Sequence, residues 1–235
     1  MQRLDKILSE AGVASRKELK NLIRAGRVTV DSAVVRDEAK KFDEAACTIA
    51  VDGAAVEKYR KVLLMLHKPA GYVTSTDDPR DRTVMELIPE RYRTFGVTPV
   101  GRLDKETEGL LLLTNDGDLA HRILSPRSGV WKTYYAEHEG TASAGDCAAF
   151  EAGLTLGDGT KCLPAQLEGQ GPGKSLVHVQ EGKYHQVRRM MAARGMPVTY
   201  LKRIAEGGLT LGELPRGTVQ ELDVVPAEEP LHILL

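Results

Sequence analysis

The sequence predicts an α+β protein: a small helix–helix–strand module at 1–57, a linker at 58–61, and a larger domain at 62–235 with a mostly antiparallel mixed sheet. Three observations predict it. Helical periodicity at the front occupies two short stretches and gives way at once to short alternating strands and turns. Two continuous apolar runs, 62–66 and 110–113, suit strands buried on both faces. Later strand and helix patterns follow one another without a regular βαβ rhythm, which argues against a parallel, doubly wound sheet.

Each element has a local cause. Leu4, Ile7, Leu8 and Ala11 share a helical face that Gly12 ends. Ser15 then caps a second helix, and Glu18 stands three residues on, where it completes a capping box. Leu19, Leu22 and Ile23 form the apolar side of that helix, Arg16, Lys20 and Arg24 recur at steps of four along another, and Gly26 closes it. Val28 and Val30 alternate with polar residues as a strand; Asp31-Ser32 turns the chain into Val34-Val35. A strand at 48–51 ends at the turn Asp52-Gly53. In the larger part, Lys68-Pro69 stops the first apolar run. Thr114-Asn115-Asp116-Gly117 turns the second into a helix beginning near Asp118. Further strands are expected at 134–138, 165–168 and 175–180, a loop at 169–173, and a helix at 184–194 stopped by Gly195.

Composition narrows the function. The hydrophobic share of 42% and charged share of 28% are those of an ordinary globular protein. No apolar run approaches the roughly 20 residues that cross a bilayer, and an early Asp5 with no apolar h-region argues against a signal peptide. Cys47, Cys147 and Cys162 are odd in number and scattered, with no CxxC pair, so a reducing, cytoplasmic setting is expected. Net charge is -1, but cations outnumber anions from Met1 to Lys41, whereas Arg216 alone faces six carboxylates after Ile204. A basic front suits an anionic backbone. The six histidines lack HxxxH or HExxH spacing, and neither a GxxxxGK[ST] loop nor a GxSxG elbow is present, so no metal or nucleotide cofactor is expected.

The chemistry concentrates in Gly101-Arg102-Leu103-Asp104-Lys105-Glu106, a polar loop directly before the buried run at 110–113. Taken alone, Asp104 suits either a catalytic carboxylate on a rigid support or a loop residue that satisfies backbone donors. Tyr134 and Tyr135 point to opposite faces if they lie on a strand, so only one of them serves a site. Alone, Tyr134 and Val187 read as core, and Arg188 as an exposed helix cation.

The full string from Gly101 to Gly117 resembles the signature of the pseudouridine synthases, in the branch that modifies small-subunit ribosomal RNA and its close large-subunit relatives. Leu66-His67-Lys68-Pro69-Ala70-Gly71, Trp131-Lys132-Thr133-Tyr134 and Glu181-Gly182-Lys183-Tyr184-His185-Gln186-Val187-Arg188-Arg189-Met190 resemble further motifs of that family, in its order. Arg3-Leu4-Asp5-Lys6 and Ser15-Arg16 resemble the RNA-binding fold of ribosomal protein S-four. The resemblance implies that Asp104 is the essential carboxylate, Arg188 its basic partner, and Tyr134 the active-site tyrosine. It implies that Val187 packs on the base, that Arg102 reaches toward the gap left by the extracted nucleotide, and that Lys68 belongs to the substrate-binding set. Arg3, Lys6, Arg16, Lys20 and Arg24 become candidates for RNA contact. The implied reaction breaks C1′–N1 of a uridine, rotates the base and joins C1′ to C5, which needs no cofactor.

Thr76-Asp77-Asp78-Pro79 and Ser125-Pro126-Arg127 resemble the small-subunit enzyme more than its large-subunit relatives, and no long basic C-terminal extension follows. The expected substrate is a single uridine in 16S ribosomal RNA, with 23S ribosomal RNA the alternative and a non-catalytic ribosome-assembly protein the rival from another class.

Overall fold

The structure is a computed structural model and describes residues 1–56, 60–125 and 128–223, except the side chain of Arg16. Pro126 and Arg127, residues 57–59 around the start of the linker, and the end of the acidic tail lie outside the described residues. The described chain forms two compact units.

The first unit carries β1 (Gln2–Arg3), α1 (Leu4–Glu10), α2 (Arg16–Arg24), β2 (Val28–Val30), β3 (Ala33–Val34), β4 (Lys41–Phe42), β5 (Ile49–Val51) and β6 (Ala54–Ala55). The capping box forms: the Glu18 backbone N–H donates to Ser15 Oγ, and the Ser15 N–H donates to the Glu18 carboxylate at 3.0 Å. Gly12 and Gly26 take the left-handed conformation that ends each helix. Leu4, Ile7 and Leu8 of α1 meet Leu19 and Ile23 of α2, and Val28, Val30 and Ile49 close the core beneath them. Strands order as β3-β2-β5-β6, and β1 pairs with β4.

The expected boundary at 58–61 needs one correction. The segment Pro89–Val97, with α3 (Glu90–Arg93), groups with the first unit and not with the second. Tyr92, Phe95 and Val97 are buried, the Arg60 guanidinium lies 5.4 Å from the Phe95 ring centre, and the Thr94 carbonyl fills the space a side chain at Gly12 would need. A return of this kind is made by tertiary contacts and leaves no periodic trace in sequence.

The second unit is built on one sheet: β7 (Leu63–Lys68), β8 (Thr98–Val100), β9 (Glu108–Thr114), β10 (Lys132–His138), β11 (Gln166–Gly169), β12 (Lys174–Val179), β13 (Val198–Glu206), β14 (Leu209–Thr210) and β15 (Val219–Leu222). The order is β11-β12-β10-β13-β9-β7-β15, with β8 on β9 and β14 on β13. Among the described pairs only β13 and β9 run parallel. Every residue of β7 and β9 is buried, which is why both read as unbroken apolar runs. Helices α4 (Gly117–Leu124), α5 (Ala144–Ala152) and α6 (Gln186–Ala193) complete the unit. Leu119 and Ile123 of α4 pack on Leu63, Met65, Leu110 and Leu112. Helix α6 starts two residues later than its apolar pattern suggests, because His185 adopts a left-handed backbone, φ 47° and ψ 35°. No helix among the described residues is long and apolar enough to cross a membrane.

Candidate active site

The loop between β8 and β9 is immobilised from behind. The ammonium of Lys68, fully buried at the end of β7, donates to the carbonyls of Pro69, Asp104, Lys105 and Thr107 at 2.9–3.1 Å. Thr74 Oγ1 donates to the Leu103 carbonyl at 2.8 Å and accepts from its N–H at 3.1 Å. The Gly71 N–H donates to the Lys105 carbonyl, and Lys105 reaches across to Asp81 at 2.6 Å. The backbone around Asp104 is thus held by other groups, and its carboxylate is free to face a cleft of about 620 Å³. Gly109 follows at positive φ, where the Arg203 backbone approaches so closely that no side chain fits.

Arg102, Asp104, Tyr134 and Val187 all line this cleft. Tyr134 is buried on β10, and burial pushes its hydroxyl above the ordinary tyrosine range, so it stays protonated at neutral pH. Tyr135 points to the opposite face, donates to Glu137 at 3.0 Å and meets Tyr200 edge-on. Val187 is buried in the first turn of α6. Arg102 is exposed and has no partner among the described residues.

Two expectations are corrected. Lys68 is not among the residues lining the cleft: its donors go to backbone carbonyls, so it shapes the loop. Arg188 does not reach Asp104; its guanidinium donates to the Val198 carbonyl at 3.2 Å. The basic group within reach of Asp104 is His185, with Nε2 at 3.5 Å from Oδ1. The left-handed turn at His185 carries its ring to the loop, and that turn has no signature in sequence.

A buried charged cluster behind Tyr134 also escapes the sequence reading. Arg203, opposite Tyr134 in the β10–β13 register, is fully buried and donates through Nε to the Leu110 carbonyl at 2.7 Å. Its Nη2 lies 3.3 Å from Glu206, and Lys132 Nζ lies 3.8 Å from the same carboxylate. Burial lowers the proton affinity of Lys132, and Glu206 opposes that. Arg203 and Glu206 were hidden because they sit inside a strand, β13, that the alternation rule does not pick out.

In the first unit, Arg3 pairs with Asp5 at 2.8 Å and Lys6 with Glu10 at 3.6 Å. Lys20 and Arg24 of α2 share Glu38, at 3.6 and 3.2 Å. All four cations are exposed enough to exchange these partners for phosphates.

Comparison with known proteins gives the family. Residues 62–193 match the family described as RNA pseudouridylate synthase, and residues 2–45 match the S4 domain. An uncharacterized RNA pseudouridine synthase of Bacillus subtilis is 40% identical, over 99% of this chain and 98% of its own. A ribosomal small subunit pseudouridine synthase A of Vibrio cholerae is 39% identical, over 90% of this chain and 91% of its own. A ribosomal large subunit pseudouridine synthase B of Bacillus subtilis is 36% identical, over 94% of this chain and 92% of its own. A crystal structure of a pseudouridylate synthase superposes with a TM-score of 0.65 at 31% identity, covering 95% of this chain and 96% of that one. The chain therefore belongs to the RNA pseudouridine synthases, with an S4 domain at its front.

Proposed function

We propose that this enzyme isomerises one uridine of 16S ribosomal RNA, with Asp104 as the catalytic carboxylate. The observation that carries the reading is a carboxylate presented by an immobilised loop to a cleft that it shares with a protonated tyrosine and an aliphatic side chain. The reacting atoms of a stacked nucleotide are inaccessible, so the uridine must leave its helix to enter. In the cleft the Tyr134 ring stacks on uracil and Val187 packs against it. Arg102, which has no protein partner among the described residues, extends toward the gap in the RNA. Asp104 acts at the ribose, either attacking C1′ as nucleophile or removing a ribose proton; both roles need it ionised. The C1′–N1 bond breaks, the base turns, and C5 joins C1′ with loss of its hydrogen to solvent. No electrons or groups are gained, so the balance needs no co-reactant. Arg188 acts at one remove, tying α6 to the start of β13 through the Val198 carbonyl.

The 16S assignment rests on the segment Thr76-Asp77-Asp78-Pro79. Asp78 caps the N–H groups of Arg80 and Asp81, and Asp81 holds Lys105, the neighbour of Asp104. The segment that resembles the small-subunit enzyme is thereby tied to the catalytic loop. Transcripts of 16S and 23S ribosomal RNA carrying tritium at uridine C5 test it: the enzyme should release tritium from 16S alone. Release from 23S alone would contradict the substrate and leave the site intact.

The front unit supplies affinity through backbone charge. Replacing Arg16, Lys20 and Arg24 with Ala should weaken RNA binding and flatten its salt dependence by roughly 0.7 to 0.9 in log–log slope per lost phosphate contact. Turnover at saturating RNA should change far less than the RNA concentration needed to reach it. Binding across a salt series, with single-turnover rates at saturation, checks both; an unchanged slope would make α2 an ordinary solvated helix.

A further inference from the structure

Beside the cleft stands an aromatic ring that the reaction as described does not use. Tyr184 is 76% exposed, although large aromatic side chains are usually covered. One face of its ring lies on the His185 imidazole, with centroids 3.9 Å apart and planes 15° from parallel. Its carbonyl accepts from Arg189 at 3.2 Å, and Arg189 also pairs with Asp158 at 2.6 Å. Both the ring and the backbone of Tyr184 are therefore fixed before anything binds. Tyr184 lines the catalytic cleft and also a second depression of about 500 Å³, bordered by Leu156, Gly157, Asp158, Arg189 and Ala192. It is the shared wall of two adjoining hollows, and the first holds Asp104.

We propose that the open face of Tyr184 is a stacking platform for an unpaired base next to the target uridine. The inference rests on the reading of the Asp104 cleft as the catalytic site. A uridine drawn out of a helix leaves neighbours whose faces have lost a stacking partner, and a fixed aromatic ring restores one at little ordering cost. Every base has such a face, so the platform adds affinity with little sequence preference. Two cations lie close by in the chain, Lys183 paired with Glu181 and Arg189 paired with Asp158, and can exchange these partners for phosphates of the sugar–phosphate chain. His185 joins the platform to the loop, since the ring that supports Tyr184 also stands 3.5 Å from Asp104.

The test compares Tyr184→Ala and Tyr184→Trp with wild type, using whichever unmodified transcript, 16S or 23S, the wild type converts. Y184A should raise KM roughly 5- to 150-fold, the worth of one base–aromatic stack, and lower kcat by much less. Y184W, which keeps a stacking face, should stay within about five-fold of the wild-type KM. An unchanged KM in Y184A overturns the platform. So does a collapse of kcat at constant KM that Trp does not repair, because the ring would then act on Asp104 through His185. Asp104→Asn in parallel separates the two readings: wild-type turnover there removes the catalytic cleft and the platform with it. Lost turnover in D104N with an unchanged KM in Y184A removes the platform alone.

Discussion

Asp104→Asn is expected to reduce isomerisation to less than roughly a thousandth of the wild-type rate while RNA affinity stays within a few-fold. The substitution keeps the side chain's shape and removes the charge that either chemical role requires. The fold does not depend on that charge. The loop is fixed through the carbonyls of Leu103, Asp104, Lys105 and Thr107, by Thr74, Lys68 and Gly71. The basic side chain paired with the carboxylate among the described residues, His185, is partly exposed and can be solvated. If affinity comes chiefly from phosphate contacts of the front unit, as proposed, a filter-binding curve should barely move while single-turnover conversion is lost. Conversion at a tenth of the wild-type rate would be incompatible with catalysis by Asp104.

Lys68→Met should lower turnover by about 100-fold, because a displacement near 1 Å at a catalytic group costs on that order. Four carbonyls would lose the Lys68 ammonium, three of them in the catalytic loop, where the Asp104 carbonyl keeps only the Thr107 N–H and the Lys105 carbonyl only the Gly71 N–H. Stability should also fall, by about 1–3 kcal/mol, the cost of leaving buried acceptors unpaired. A pH profile distinguishes this from simple unfolding. Burial pushes the Lys68 amine down to about 8, against the pull of Glu106, Glu108 and Asp104. Its unfolded value is about 10.4. Between these values the unfolded chain binds the extra proton, so this group's contribution to stability rises with pH and does not fall. A neutral amine, however, has two N–H groups for four carbonyls, so the loop loosens as pH rises through about 8. Wild-type turnover should therefore decline through that pH while Lys68 contributes no loss of melting temperature. The remaining activity of the Met variant should lack the decline. Identical pH profiles would show that Lys68 does not hold the loop.

Residues whose chemistry acts locally were legible in the sequence. Ser15 and Glu18 announce a helix start through spacing alone, and the structure closes both hydrogen bonds. The run 110–113 announces a strand covered on both faces, and β9 is buried throughout. The alternation of Tyr134 and Tyr135 assigns one to the cleft and one away from it. The same capping rule would have found α5, where Ser143 and Asp146 form a capping box, but the sequence reading passed over it. What could not be read is set by partners distant in the chain. Lys68 looks like a strand-end cation until its four carbonyls are known. Arg203 and Glu206 look like surface charges because their burial depends on β10 packing beside them. His185 reaches Asp104 only through a left-handed backbone that non-glycine residues seldom adopt. Arg188 marks the right helix, but its partner was assigned by family resemblance, and side-chain direction in this chain sends it to Val198.

The most direct test is a map of pseudouridine along 16S and 23S ribosomal RNA from cells lacking this protein, complemented with the wild type or with Asp104→Asn. One 16S position should be unmodified without the protein, regain pseudouridine with the wild type, and stay unmodified with the Asn variant. A position restored by D104N, or one found in 23S and not in 16S, would contradict the account.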